Sequence, residues 1–214
     1  MFKEILSILR REDLLKQAME EADKMLANTE IMFKTAMDMV MECKKPDIDI
    51  YEMDKDIDQM ESDIRQKVLK HLIIVNNRED VSAALVLTGV ARDIERIGDY
   101  AKSIFEVLDI CPSEFIIGGE GAKLIKEIES QIIEIFTLTR EAYKEGNIEK
   151  ARIVMDKQLQ ISKMCDEIFE YLSQRPALNV EYAIIYALLS RYLKRVSSHL
   201  KNIAANVVNP FSNL

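Results

Sequence analysis

Apolar residues recur along this chain every three to four positions, the spacing of one buried helix face. One stripe runs Leu15, Ala18, Ala22, Met25, Thr29, Met32, Ala36, Met39, Cys43. Others follow at Met53–Leu72, Ala83–Leu108, Ile125–Ala142, Val154–Leu172 and Tyr182–Val207. Breakers separate them: Pro46, Asn76–Asn77, Pro112 with Gly118–Gly119, Gly146–Asn147, and Pro176. Asn147 has the chemistry of a helix N-cap. The pattern predicts an all-α chain of six long helices, preceded by a short amphipathic helical extension at residues 2–10.

The third and sixth stripes superimpose at an offset of 99 residues, with Arg92 on Arg191 and Arg96 on Arg195. Apolar matches alone arise by chance between two amphipathic helices; two arginines in phase point to an internal repeat. The reading is two tandem three-helix bundles, residues 1–110 and 120–214, joined through Cys111–Gly121. For the second and fifth helices the apolar stripes align at 104 and a Met-Asp-Lys triplet at 102. Burial fixes register more strongly than surface charge, so 104 is preferred.

Composition narrows the class. Among 214 residues there are 6 Gly and 4 Pro, too few for a β-sandwich with its frequent turns, and 48% are apolar, too many for disorder. The formal charge of −8 argues against nucleic-acid binding. Cys43, Cys111 and Cys165 form no CxxC and read as reduced core thiols. The N-terminal stretch has no signal-peptide pattern, and no apolar run approaches 18 residues. A cytoplasmic protein, peripheral to a membrane at most, is expected.

Asp54, Asp58 and Glu61 stand at i, i+4 and i+7 on the second long helix, and Glu95 and Asp99 at i, i+4 on the third. Antiparallel packing of these helices would bring five carboxylates together, a donor set for hard cations such as Mg²⁺, Ca²⁺, Mn²⁺ or ferric iron. Alternatively, Glu95 pairs with Arg92 and Arg96 and the aspartates form a solvated face. Catalytic chemistry finds little support. His71 and His199 sit in no Glu-x-x-His pair, so a di-iron oxidase is excluded, and His71 reads as a surface or boundary residue. No phosphate-binding glycine loop follows a strand, and no serine has a base near it in sequence. After Glu181 no acid remains, and Arg191, Lys194, Arg195 and Lys201 leave −12 in residues 1–181. Those four cations read as a face toward a partner or an anion, or as internal partners of Asp166, Glu167 and Glu170.

The segment ARDIERIGDYAKSI at 91–104 resembles the repeated signature of the PhoU family of phosphate-transport regulators. DKDIDQMESDI at 54–64 resembles the acidic helix that precedes it in that family. SRYLKRVSSHLKNIA at 190–204 is similar to a decayed second copy. The resemblance spans essentially the whole chain and implies a non-enzymatic, cytoplasmic regulator. It implies partners as well: the ATPase of a phosphate ABC transporter, a phosphate-sensing histidine kinase, and a second copy in a homodimer. The family's acidic motifs bind metal clusters, often of iron. Carried over, they fall on Asp54 and Asp58, and on Glu95 and Asp99, with Glu61 adjacent.

The second copy departs from this pattern: Lys194 replaces Glu95, Ser197 replaces Gly98 and Ser198 replaces Asp99, while Gln158, Ser162 and Cys165 stand for Asp54, Asp58 and Glu61. Metal is therefore expected on the first repeat and not on the second. Two alternatives remain open: an accessory of a sodium- or proton-coupled phosphate permease, and a metal-storage bundle.

Overall fold

Helices form where the apolar periodicity runs. The computed structural model describes residues 1–11, 13–42, 48–75, 77–111, 119–175 and 178–210. Cys43, Pro46, Asn76, Pro112, Gly118 and Pro176, named above, lie outside them. In chain order the helices are α1 (Phe2–Arg11), α2 (Asp13–Glu42), α3 (Ile50–Ile74), α4 (Arg78–Glu106), α5 (Gly119–Glu145), α6 (Ile148–Ser173) and α7 (Val180–Val208). A short 3-10 helix, Val107–Ile110, follows α4. The expected linker narrows from its C-terminal side, because Gly119 at φ +76° already opens α5.

Side-chain caps set several boundaries. Asp49 accepts from the Tyr51 and Glu52 amides at 2.9 and 3.2 Å at the start of α3. Asn147 accepts from Glu149 and Lys150, both at 3.1 Å, and Asn179 from Glu181 at 2.7 Å. Each satisfies first-turn N–H groups that the helix itself leaves without an acceptor. Gly146, at φ +63°, supplies the left-handed residue that ends α5.

Helices α2, α3 and α4 pack as one three-helix bundle and α5, α6 and α7 as a second. Two seams join them, α4 against α7 and α2 against α5, and one continuous apolar core runs through both bundles. The repeat is visible in both seams. Shifted by 99 residues, Asp93 falls on Tyr192 and Tyr100 on His199. The contacts Asp93–His199 and Tyr192–Tyr100 are therefore one contact made twice around a pseudo-two-fold axis. Phe33 and Phe136 meet near the same axis in the other seam, ring centroids 5.7 Å apart. Further along the α2–α5 seam Asp23 receives a forked pair from Arg140 at 2.6 and 2.9 Å and a third contact from Lys144 at 3.2 Å. The Arg140 hydrogen bond holds the Asp23 carboxyl below its ordinary range, against the opposing effect of burial.

Helix α1 buries Phe2, Ile5, Leu6 and Leu9. It reaches the second bundle through Phe2 on Tyr143, 5.9 Å between centroids, and through Arg10, which donates to the Lys144 carbonyl at 2.7 Å. On α3 and α6, burial follows the 104 register: Ile50, Asp54, Ile57 and Ile64 correspond to Val154, Gln158, Ile161 and Ile168, all buried.

His71 departs from its sequence reading. It is 2% exposed, and its Nε2 lies 2.8 Å from Oδ2 of Asp80, which is fully buried. The cause is register: His71 lies seven residues after Ile64 and three after Val68, on the inward stripe of α3. Asn77 donates to the other Asp80 oxygen at 3.1 Å, so this polar cluster closes the α3–α4 hairpin. Of the thiols, Cys165 is buried, burial pushing it up to about 12, while Cys111 is only half-buried, and neither is in a disulfide. Among the described residues, no helix is long and apolar enough to cross a membrane.

Candidate functional site: a charged cleft across two bundles

Antiparallel packing of α3 on α4 places the acidic stripes side by side. Gly98 permits the close approach: a Cβ there would stand 3.2 Å from Ile57 Cδ1 and 3.3 Å from its Cγ2. The two stripes open into a cleft of about 1210 Å³ between α3, α4 and α7. Asp58, Glu61 and Arg65 form its α3 wall, Arg92, Asp93, Glu95 and Arg96 its α4 wall, and His199, Asn202 and Asn206 its α7 wall.

The five expected carboxylates are thus neighbours, and their mutual repulsion adds to the effect of burial at Asp58 and Glu95. Burial, then Asp54, pushes the Asp58 carboxyl above its ordinary value, with Lys102 opposing and Asp99 and Glu61 adding to the rise. Burial, then Asp99, does the same to Glu95, against Arg96.

Cations intervene between them. Lys102 hydrogen-bonds Asp54 and lies 3.6 Å from Asp99. Burial alone would lower the Lys102 pKa, but Asp54, Asp99 and Asp58 outweigh it, and the ammonium is held charged. Arg96 donates to Asp99 at 2.9 Å and sits 3.5 Å from Glu95, while Arg65 pairs with Glu61 at 3.1 Å. As arranged, four of the five carboxylates stand in ion pairs. Among the described residues no three acidic, histidine or cysteine side chains converge on one point, and the Lys102 ammonium bridges the two stripes.

The expected pairing of the last helix with α6 forms once. Lys194 lies 2.7 and 2.9 Å from the two Asp166 oxygens. Among the described residues Arg191, Arg195 and Lys201 make no ion pair, and Glu167 and Glu170 do not reach them.

Sequence reasoning overlooked Lys102, Arg65 and the Asp93 cluster. Lys102 carries a local signal, lying three residues after Asp99 and seven after Glu95 on one helix face. Asp93 does not. Its partners, His199 Nδ1 at 2.8 Å and Asn202 at 3.2 Å, come from the other bundle. His199 in turn stacks on Tyr100, 5.7 Å between centroids.

Known proteins share this architecture. The sequence profile of the PhoU domain matches residues 22–108 and 125–207, segments that begin 103 residues apart and end 99 apart, the spacings of the Phe33–Phe136 and α4–α7 contacts. A Synechocystis protein described as a phosphate-specific transport system accessory protein PhoU homolog is 25% identical over 203 residues, 92% of this chain and 88% of its own. A Zymomonas mobilis protein of the same description is 21% identical over 187 residues, 84% of this chain and 77% of its own. The fold is that of crystalline PhoU from Pseudomonas aeruginosa, with a TM-score of 0.77 at 18% identity, covering 94% of this chain and 98% of that one.

Proposed function

The chain belongs to the PhoU family, and from that premise we propose that it is a non-enzymatic regulator of phosphate transport that acts by protein–protein contact. The observation that carries the reading is that both copies of the domain are present, in a chain aligned nearly end to end with phosphate-transport accessory proteins. Its site suits the role. Ion-paired carboxylates, guanidinium groups and side-chain amides line an open cleft, a composition fitted to recognising a charged protein surface. In this reading the partner is the ATPase of a phosphate ABC transporter on the cytoplasmic side, with a phosphate-sensing histidine kinase as a second contact and the chain itself working as a homodimer. A hard cation on the first repeat would be held by Asp54, Asp58, Glu61, Glu95 and Asp99, in competition with Lys102, Arg96 and Arg65, which ion-pair with Asp54, Asp99 and Glu61.

The test is physiological. Deleting the gene should raise phosphate uptake in phosphate-replete cells and switch on the phosphate-starvation response, and restoring the wild-type gene should reverse both. Uptake and starvation response unchanged at every phosphate level would refute the reading.

A further inference from the structure

The repeat provides an internal control for each charged position on the open faces of α4 and α7. The 99-residue shift carries Arg92, Glu95, Arg96, Asp99 and Lys102 onto Arg191, Lys194, Arg195, Ser198 and Lys201. At about 3.6 residues per turn, each set falls within roughly a third of its helix circumference, so each forms one stripe. In the first bundle two of the three shared cations, Arg96 and Lys102, are neutralised within the chain, while Arg92 is exposed. Arg96 meets Glu95 and Asp99, and Lys102 meets Asp54 and Asp99. In the second bundle the same cations remain and the acids are gone. Lys194 and Ser198 replace the two acids of the stripe, and Gln158 takes the place of Asp54 at the 104 register. Arg195 and Lys201 are left with no carboxylate among the described residues, and Arg191 stands exposed. Only Lys194 has a partner, Asp166, which is itself 63% exposed.

We propose that the α7 stripe Arg191, Lys194, Arg195 and Lys201 docks an acidic segment of a protein partner, which supplies the carboxylates that the second repeat lacks. The inference rests on the regulator reading above and names the chemistry of its contact. Geometry selects a peptide over a free anion. Ten residues separate Arg191 from Lys201, about 15 Å of helix at 1.5 Å per residue, so one phosphate ion reaches only part of the stripe. Guanidinium forks match carboxylates in bidentate geometry, which suits Arg191 and Arg195 to glutamate or aspartate side chains. A peptide also fits better than an anionic bilayer. A peptide meets only the stripe, whereas a membrane plane meets a wider surface on a chain of net charge −8, and charges beyond about 8 Å are screened at physiological salt.

The experiment uses the full chain and a fluorescent alanine-based helical peptide carrying glutamates at i, i+4, read by anisotropy. The wild type should bind it, with affinity falling as salt rises. The Arg191→Glu, Arg195→Glu, Lys201→Glu variant should bind at least about tenfold more weakly, because each reversal sets like charges in contact. Lys194→Glu with Ser198→Asp restores the first-repeat pattern and should also lose binding, through internal neutralisation. Lys16→Glu, exposed on α2, which among the described residues makes no contact with α7, should leave binding unchanged. Circular dichroism checks that every variant remains folded. Equal affinity of the triple reversal and the wild type overturns the proposal. So does displacement of the peptide by inorganic phosphate, or binding to phosphatidylglycerol vesicles in place of it. A cellular arm separates the two readings. If deletion alters phosphate control and the triple reversal restores it fully, the docking surface is wrong and the regulator reading stands. If deletion alters nothing, the regulator reading fails and the peptide assay alone decides the docking surface.

Discussion

Removing the ring of Phe33 should show that the two bundles unfold as one body. Phe33 is fully buried, and Phe136, the residue that meets it across the α2–α5 seam, is 1% exposed. Each belongs to a different bundle and both to the same core. Truncating a buried Phe to Ala costs about 3–5 kcal/mol, the lost transfer energy together with the cavity left behind. The aromatic contact accounts for about 0.5–1.5 kcal/mol of that. In a chain of this length each kcal/mol moves the melting temperature by about 2–4 °C. Phe33→Ala should therefore lower it by about 6–20 °C, and the gentler Phe33→Leu, costing less than about 1.5 kcal/mol, by at most about 6 °C. Scanning calorimetry is the assay. A continuous core predicts a single transition in the wild type and both variants, displaced as a whole. Two transitions, of which only one moves, would mean that residues 1–110 and 120–214 fold independently and that the seams contribute little.

Further outcomes follow from single groups. Lys102→Gln removes the ammonium between the acidic stripes, so Mn²⁺ titrated calorimetrically should bind the variant more tightly than the wild type; equal affinities would show that Lys102 does not guard the cluster. Burial pushes the Glu129 carboxyl from 4.5 up to about 7, with Asp38 adding to the rise and Lys126 opposing it. A carboxyl raised in the folded state contributes stability that is full below its unfolded pKa and lost as pH rises through the folded one. The wild type should therefore lose stability between pH 4.5 and about pH 7, and Glu129→Gln, which mimics the protonated form, should flatten that fall. Identical denaturant midpoints for the two across this window would count against it.

The long helices were legible because each has one dominant inward stripe, and nearly every residue named on those stripes is buried or half-buried. Hidden were the second stripes: Phe33 and Met37 on α2, Leu87 on α4, Phe136 on α5 and Tyr186 on α7, all buried. These helices face neighbours in their own bundle and across a seam, and a pattern read for one face does not reveal the other. Local spacing brought Asp54, Asp58, Glu61, Glu95 and Asp99 to one place, since i, i+4 spacing and an antiparallel hairpin suffice. What the spacing did not reveal was the state of those groups. Lys102 sits on the same face as Asp99, but that its ammonium crosses to Asp54 is a matter of packing between helices. His71 was misread because a polar residue on an apolar stripe looks like a boundary until its partner, Asp80, is known to be buried opposite it. His199 and Asp93 are 106 residues apart, and only the pseudo-two-fold packing of α4 on α7 joins them.

Regulation of the proposed kind requires physical contact with a phosphate transporter. The direct measurement is co-purification of the tagged full-length chain from detergent-solubilised membranes of phosphate-replete cells, after cross-linking in the living cell, with recovered proteins identified by mass spectrometry. The ATPase of the phosphate ABC transporter should be recovered with the wild-type chain and reduced in the Arg191→Glu, Arg195→Glu, Lys201→Glu variant. Absence of every phosphate-transporter component from the wild-type eluate, in replete and in starved cells alike, would contradict that contact.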